Sequence, residues 1–584
     1  MNIFFLLIII FLRDILLYGD DFMKFSQIPY KRYTIEEGRM KFAEFEKLSQ
    51  NAENANDMIE ARKAVLEMMN DYQTAASLAN CRFTLNTADE FYKAEMDYYD
   101  TTGPMFSDLF TKYADIMLSS PFRAETEKKI NPQIFRKLEC QKKSFDICIL
   151  EESQEENALT TEYSQFMSSI VFEFDGKEMP LSVLRGYLEN SDRDIRKKAA
   201  EALGKGLEKH RDTLDSIFDK LVDVRNRMAK KMGYENFVEL GYYRMGRTDY
   251  TPEMIEIFRD NVREHLVPCI SKIKKDVAAE LGIDRVMFYD NDIYFAGETP
   301  KPFGNEEEIF KKAQEMYDDM SPEIGDFMRS MIENEAFDVT SRPNKWGGGY
   351  CTVFNNFRQP FILANFNGTT GDIDVITHEF GHALAAHNVF IYGDAELDVG
   401  GMETAECHSM SMEFLSWKYM DKFFGDDAPR YRKKHLLDAL SFIPYGVIVD
   451  EFQHIIYSHP EYTPEERKNA YLKLEEKYRP YLSFDGIPYL EEGTRWQYQM
   501  HIYESPFYYI DYCLAQTVAL GFLIKSQENY DDALKTYISF NRKGGTEQFP
   551  ELVKNAHLSS PFEDGALKTL AEKVLEVARN TAAE

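Results

Sequence analysis

Cysteine and positive charge are both scarce in this chain, and no long apolar run occurs. The seven cysteines (81, 140, 148, 269, 351, 407 and 513) are odd in number and scattered, with no Cys-x-x-Cys pair. That pattern supplies no disulfide framework and fits a reducing cytoplasm. Lysine and arginine number 68 against 99 acidic residues, a formal net charge of −31. Such a surface repels phosphate backbones and anionic headgroups, which argues against nucleic acid and anionic membranes as partners. The longest apolar stretch, residues 3–12 of "MNIFFLLIIIFLRDILLYGDDF", stops at Arg13-Asp14. It is shorter than the ~20 residues that span a bilayer, lacks a basic segment ahead of it, and no small-x-small cleavage site follows. Residues 1–22 therefore read as an apolar leader outside the fold, with the working start at Met23 ("MKFSQIPYKRY"). A cytoplasmic protein is expected, and export or anchoring through the leader is the lesser alternative.

What the chain does have is size and apolar content: 584 residues, 44% hydrophobic and 14% aromatic. That is enough for a large core and for two or more domains. From Tyr33 to about Ala336 the apolar spacing of three and four predicts helix, as in residues 56–80 and 190–233. "GETPKPFGNEEE" (297–308) reads as a loop. The texture changes at Lys345, where "KWGGGYCTVFNNF" and "PFILANF" (360–366) read as short β-prone runs. "PFILANF" is expected to line a cleft and pair with an extended peptide by strand addition. Beyond Ala385 helix resumes. The expected fold class is mainly α, with a small β-sheet beside one central helix. An N-terminal helical region is expected at 23–200 and a catalytic domain at 201–584.

That central helix carries "THEFGHALAAH" (377–387). His378 and His382 are four residues apart, about 40° on a helical wheel, so both imidazoles project from one face. Glu379 sits one step round, within reach of a water held between them. Two neutral nitrogens and an adjacent carboxylate are what a zinc hydrolase needs. His387 falls on the opposite face and is read as a bystander. Asp374, one turn before His378, is a candidate to orient that ligand or to cap the helix.

A zinc site needs a third protein ligand and an open fourth position. "DVGGMETAECHSMSMEFLSWKYM" (398–420) offers Glu403, Glu406 and Glu413, with His408 facing elsewhere. Glu403 and Glu406 lie about 60° apart on the wheel, so periodicity alone does not choose between them.

These motifs resemble the oligoendopeptidase F branch of the thimet-oligopeptidase-like (M3) zinc metallopeptidases. The resemblance rests on "THEFGHALAAH", on "TAECHSMSMEF" and on "RWQYQMHIYESPFYYIDYCLAQTVAL" (495–520). Weaker echoes are "MGYENFVELGYYRMGRTDY" (232–250), "PFILANF" and "DEFQHIIY" (450–457). It implies that Glu406 is the third zinc ligand, with one zinc per chain. It also implies a two-lobed helical molecule with a deep central channel, cutting short unstructured peptides internally rather than folded proteins. Glu379 is then the general base. A histidine and a tyrosine of the 501–512 segment are implied as donors to the developing oxyanion; His501 and Tyr512 are favoured, Tyr509 next. His454 of "DEFQHIIY" is read as structural. Two other readings stand beside this one: a metallocarboxypeptidase or dipeptidyl carboxypeptidase on a related scaffold, and a non-catalytic peptide-binding protein on a degenerate peptidase fold.

Overall fold

Short, well-capped connections organise the chain from its start. Thr34 and Glu37 form a reciprocal capping box at the head of helix Ile35–Gln50, and Asn54 accepts from the Asn56 and Asp57 amides at the head of Ala55–Leu85. Asp89 does the same for Glu90–Ser119. Each cap satisfies backbone donors that the first turn leaves open, and the brief loops between them make the three helices consecutive hairpins. The computed structural model describes residues 23–581, so the leader at 1–22 lies outside the described residues. Among the described residues no helix is long and apolar enough to cross a membrane.

The chain divides into two compact units, each discontinuous in sequence. Among the described residues, one draws on 23–134, Pro302–Gly400 and Tyr537–Glu547; the other on Phe135–Lys301, Gly401–Thr536 and 548–581. The boundary expected between residues 200 and 201 falls inside helix Arg193–Glu208, because sequence texture does not register a unit built from separated segments.

In the first unit, the three hairpin helices accompany a three-stranded sheet of Phe337–Thr340, Tyr350–Phe354 and Gln359–Phe366. Gln359–Phe366 is the central strand, parallel to Phe337–Thr340 on one side and antiparallel to Tyr350–Phe354 on the other. This corrects the expected strand addition at "PFILANF": it is paired on both sides, and Phe337–Thr340 and Tyr350–Phe354 are the edges instead. Phe354, Phe361 and Leu363 pack against Ile28, Leu78 and Cys81. Lys345, where the texture changes, is a buried staple. Its ammonium donates to Asp338 Oδ1 at 2.8 Å and to the Asp338, Thr340 and Ala364 carbonyls. The motif helix, Thr370–Val389, follows directly. Asp372, in its first turn, ties down the preceding loop by accepting from the Asn367 and Gly368 amides at 2.9 and 2.7 Å. Phe380 stacks on Tyr317 and His387 on Phe327, at 4.0 and 4.4 Å between ring centroids.

In the second unit, helix Met402–Leu415 is buried at every position except Met402 and Glu413. Helices Ala428–Ser458 and Tyr509–Glu528 approach so closely at Gly446 that a Cβ there would stand 2.1 Å from Cys513 Sγ. The helical expectation for 33–336 is interrupted by a short strand at Val286–Met287, paired with Leu482–Ser483, and by an antiparallel hairpin of Val171–Phe174 and Lys177–Pro180. Asp175-Gly176 turns it with both residues at positive φ, which is the Asp-Gly signature of a two-residue hairpin. All seven cysteines are free thiols.

Candidate metal centre and its surroundings

The helical phase of the motif is realised in the folded chain. His378 and His382 have ring centroids 5.0 Å apart, the rings crossing at 80°. With Glu406 they each offer one ligand atom, and these atoms all lie within 4.8 Å of one another. Two imidazole nitrogens and one carboxylate oxygen at that spacing suit a small tetrahedral cation with one position left over for water. Glu379 is buried between the two histidines in sequence, 8% exposed. Burial, and then the nearby Glu379 carboxylate, push the Cys351 thiol well above its usual range. Cys351 belongs to Tyr350–Phe354, a strand that packs against the motif helix.

The two glutamates that periodicity left open have different surroundings. Glu406 is buried and gripped on both oxygens: Tyr508 donates to Oε1 at 2.8 Å and Ser409 to Oε2 at 3.0 Å. Such bonds fix a carboxylate's orientation before any metal arrives. Glu403 is turned away, accepting from Thr404 at 3.1 Å and standing 3.3 Å from the Tyr250 hydroxyl. Burial, reinforced by Asp511, pushes its carboxyl up to about 8. A carboxyl that holds its proton at neutral pH is a poor metal ligand.

The aromatic segment lies on and just before helix Tyr509–Glu528. His501 Nδ1 accepts from the Gln499 amide at 2.9 Å, and the Gln499 oxygen accepts from Tyr445 at 2.5 Å. This leaves Nε2–H as the histidine's outward donor. Burial pushes His501 down to about 4 against the opposing pull of Glu406, so the ring is neutral at physiological pH. The rings of Tyr508 and Tyr512 are 4.8 Å apart, and His501 lies 5.8 and 6.1 Å from them. Tyr509 stands closer still to His501, at 4.9 Å, and its ring also packs on Phe442 and Tyr445 at 5.5 and 5.7 Å.

Tyr508 belongs to the same 501–512 segment but is not among the residues singled out there from the sequence. Its spacing, seven residues after His501 and four before Tyr512, was the available signal. His454 lies 3.0 Å from the Tyr242 hydroxyl and is pushed down to about 4 by burial.

The chain matches the model of peptidase family M3 over residues 186–572 and that of the peptidase M3 N-terminal domain over residues 25–145. It is 24% identical over 579 residues to Oligopeptidase PepF of Bacillus subtilis (strain 168), covering 91% of this chain and 82% of that one. To an Oligoendopeptidase F homolog of Lactococcus lactis subsp. lactis (strain IL1403) it is 22% identical over 409 residues, covering 67% and 65%. Among solved structures, that of PZ peptidase A with inhibitor 2 aligns with a TM-score of 0.91 at 42% identity, over 95% of this chain and 99% of that one. The chain therefore belongs to peptidase family M3 and is a metalloendopeptidase of that helical fold, homologous to the oligoendopeptidases F.

Proposed function

We propose that this chain hydrolyses internal bonds of short, extended peptides, using zinc held by His378, His382 and Glu406. The observation that carries the reading is the donor set itself: two imidazoles and a carboxylate within 4.8 Å of one another, with Glu379 adjoining the first histidine. Zinc there supplies Lewis acidity, activating water and polarising the scissile carbonyl. Glu379 takes the proton of the attacking water and passes it to the departing amine. His501, through Nε2–H, and Tyr512, through its hydroxyl, donate to the carbonyl oxygen as negative charge develops there. Of the sheet's two edges, Tyr350–Phe354 is the natural backbone partner for an extended substrate, since it packs against the motif helix and pairs with Gln359–Phe366 on one side only.

The experiment is digestion of a mixed peptide pool, with and without a chelator, read by mass spectrometry. Peptides blocked at both termini are included. Internal cleavage of blocked peptides, abolished by the chelator and restored by zinc, is expected. Removal of residues only from free termini points instead to a carboxypeptidase, and no cleavage at all to a peptide-binding protein.

A further inference from the structure

Arg247 takes no part in the chemistry above, yet its side chain is wholly buried and reaches the turn that carries Phe507 and Asp511. It lies in "MGYENFVELGYYRMGRTDY", a stretch with no assigned role. Its Nη2 donates to the Phe507 carbonyl at 2.5 Å and to Asp511 Oδ1 at 2.8 Å. Its Nε donates to the Tyr250 hydroxyl at 2.9 Å, and Tyr250 in turn donates to Asp511 Oδ1 at 2.7 Å. The face of the guanidinium lies 4.3 Å from the centre of the Tyr242 ring.

Phe507 is the unusual member of this set. Its φ is +68°, a conformation that a bulky L-residue rarely adopts. Such a backbone persists only where its surroundings over-determine it, and here they do. The Phe507 amide donates to Gln453 at 2.9 Å while Arg247 holds its carbonyl. Its ring fills space above Gly241, where a Cβ would come within 2.5 Å of it. The next residue, Tyr508, is the one that donates to Glu406. Released from its clamp, Phe507 would relax toward negative φ and swing the Tyr508 phenol off the carboxylate.

We propose that Arg247 is a positioning residue for the metal centre: by clamping the Phe507 carbonyl and Asp511, it holds the left-handed turn that aims Tyr508 at Glu406. This rests on the reading of Glu406 as a zinc ligand. A lysine cannot substitute, because one ammonium on a flexible stem does not span carbonyl, carboxylate and phenol as a planar fork does.

Arg247→Lys keeps the cation that Asp511 needs and removes the fork. Zinc affinity of the purified full chain, measured by competition with a chromophoric chelator, reads the result without requiring turnover. Arg247→Lys and Tyr508→Phe should each bind zinc about tenfold more weakly than wild type. The double variant should be no weaker than Tyr508→Phe alone, because both changes act through one hydrogen bond. Losses that multiply in the double variant, or wild-type affinity in Arg247→Lys, overturn the proposal. If Arg247→Lys does not fold, Tyr250→Phe, which deletes only the hydroxyl bridging Arg247 and Asp511, enters the same comparison with the same expected non-additivity. Glu406→Ala separates the two ideas. Undiminished zinc binding there sinks the ligand assignment beneath the proposal, whereas loss of zinc beside multiplying effects sinks the Arg247 proposal alone.

Discussion

Glu403 and Glu406 stand almost one turn apart on a single buried helix, yet only Glu406 lies with the two imidazoles while Glu403 faces Tyr250. Glu406→Ala should therefore strip zinc affinity severely, and Glu403→Gln should leave about one zinc per chain. Metal content after exhaustive dialysis decides the matter; zinc lost from Glu403→Gln but retained by Glu406→Ala reverses the assignment.

The same pair predicts a pH dependence of stability. The Glu403 carboxyl is pushed up to about 8 in the folded chain, chiefly by burial and then by Asp511. An unfolded glutamic acid ionises near pH ~4.3. Between those values the unfolded state has released its proton and the folded state has not, so the stability that Glu403 contributes is complete in acid and declines as pH rises to about 8. Glu403→Gln does not ionise, so its melting temperature should gain on wild type from pH 5 to pH 8 and gain no further above that. A constant difference across the range would show that Glu403 is ionised in the folded protein.

Glu379 is assigned to act on water and not to bind the metal. Glu379→Gln should abolish turnover while zinc content stays at about one per chain. His378→Ala and His382→Ala should lose both. Loss of zinc in Glu379→Gln would mean that the roles are wrongly distributed.

Tyr512→Phe removes a hydroxyl and keeps the ring that packs on Phe442 and Tyr508. Its kcat should fall by ~10²–10³ with little change in KM or metal content, as expected for a donor felt mainly in the transition state. His501→Ala should slow turnover comparably and disturb binding as well, because the ring is lost with the donor. Tyr509→Phe is the internal control: its ring lies near His501 as well as Phe442 and Tyr445, and the variant should stay close to wild type. Steady-state kinetics on one blocked peptide ranks the three. If Tyr509→Phe is the slow variant and Tyr512→Phe is normal, the donor has been placed on the wrong tyrosine of the right segment.

Substrate form offers a last test. Pairing with the edge strand Tyr350–Phe354 demands several residues of extended, unpaired backbone, so unstructured peptides should be cut and folded proteins left intact. A stable folded domain and its unfolded, carboxymethylated form, incubated side by side, make the comparison. Rapid cleavage of the folded form within an ordered element would rule out this mode of recognition.

Much of the local structure was legible in order along the chain. The spacing of His378 and His382 put both on one helix face, and the Glu-(six)-Glu helix was recognisable from "TAECHSMSMEF" through its family resemblance. Caps such as Thr34 with Glu37 are local too, since their bonds span only three positions, although the capping box was first seen in the fold. The Asp175-Gly176 hairpin carried its own signal too, inside a stretch whose helical periodicity hid it.

What the sequence alone determined is what neighbours along the chain determine: helix phase, caps, turns and the types of side chain available for chemistry. Only the tertiary structure decided that Gln359–Phe366 is a central strand, that Glu403 turns to Tyr250, and that Tyr508 bonds Glu406 across 102 positions of sequence. The same holds for the Arg247 clamp, whose partners Phe507 and Asp511 lie 260 and 264 residues away. The physical reason is that periodicity fixes the direction in which a side chain leaves its own helix. What waits for it there is set by packing between segments that share no local pattern.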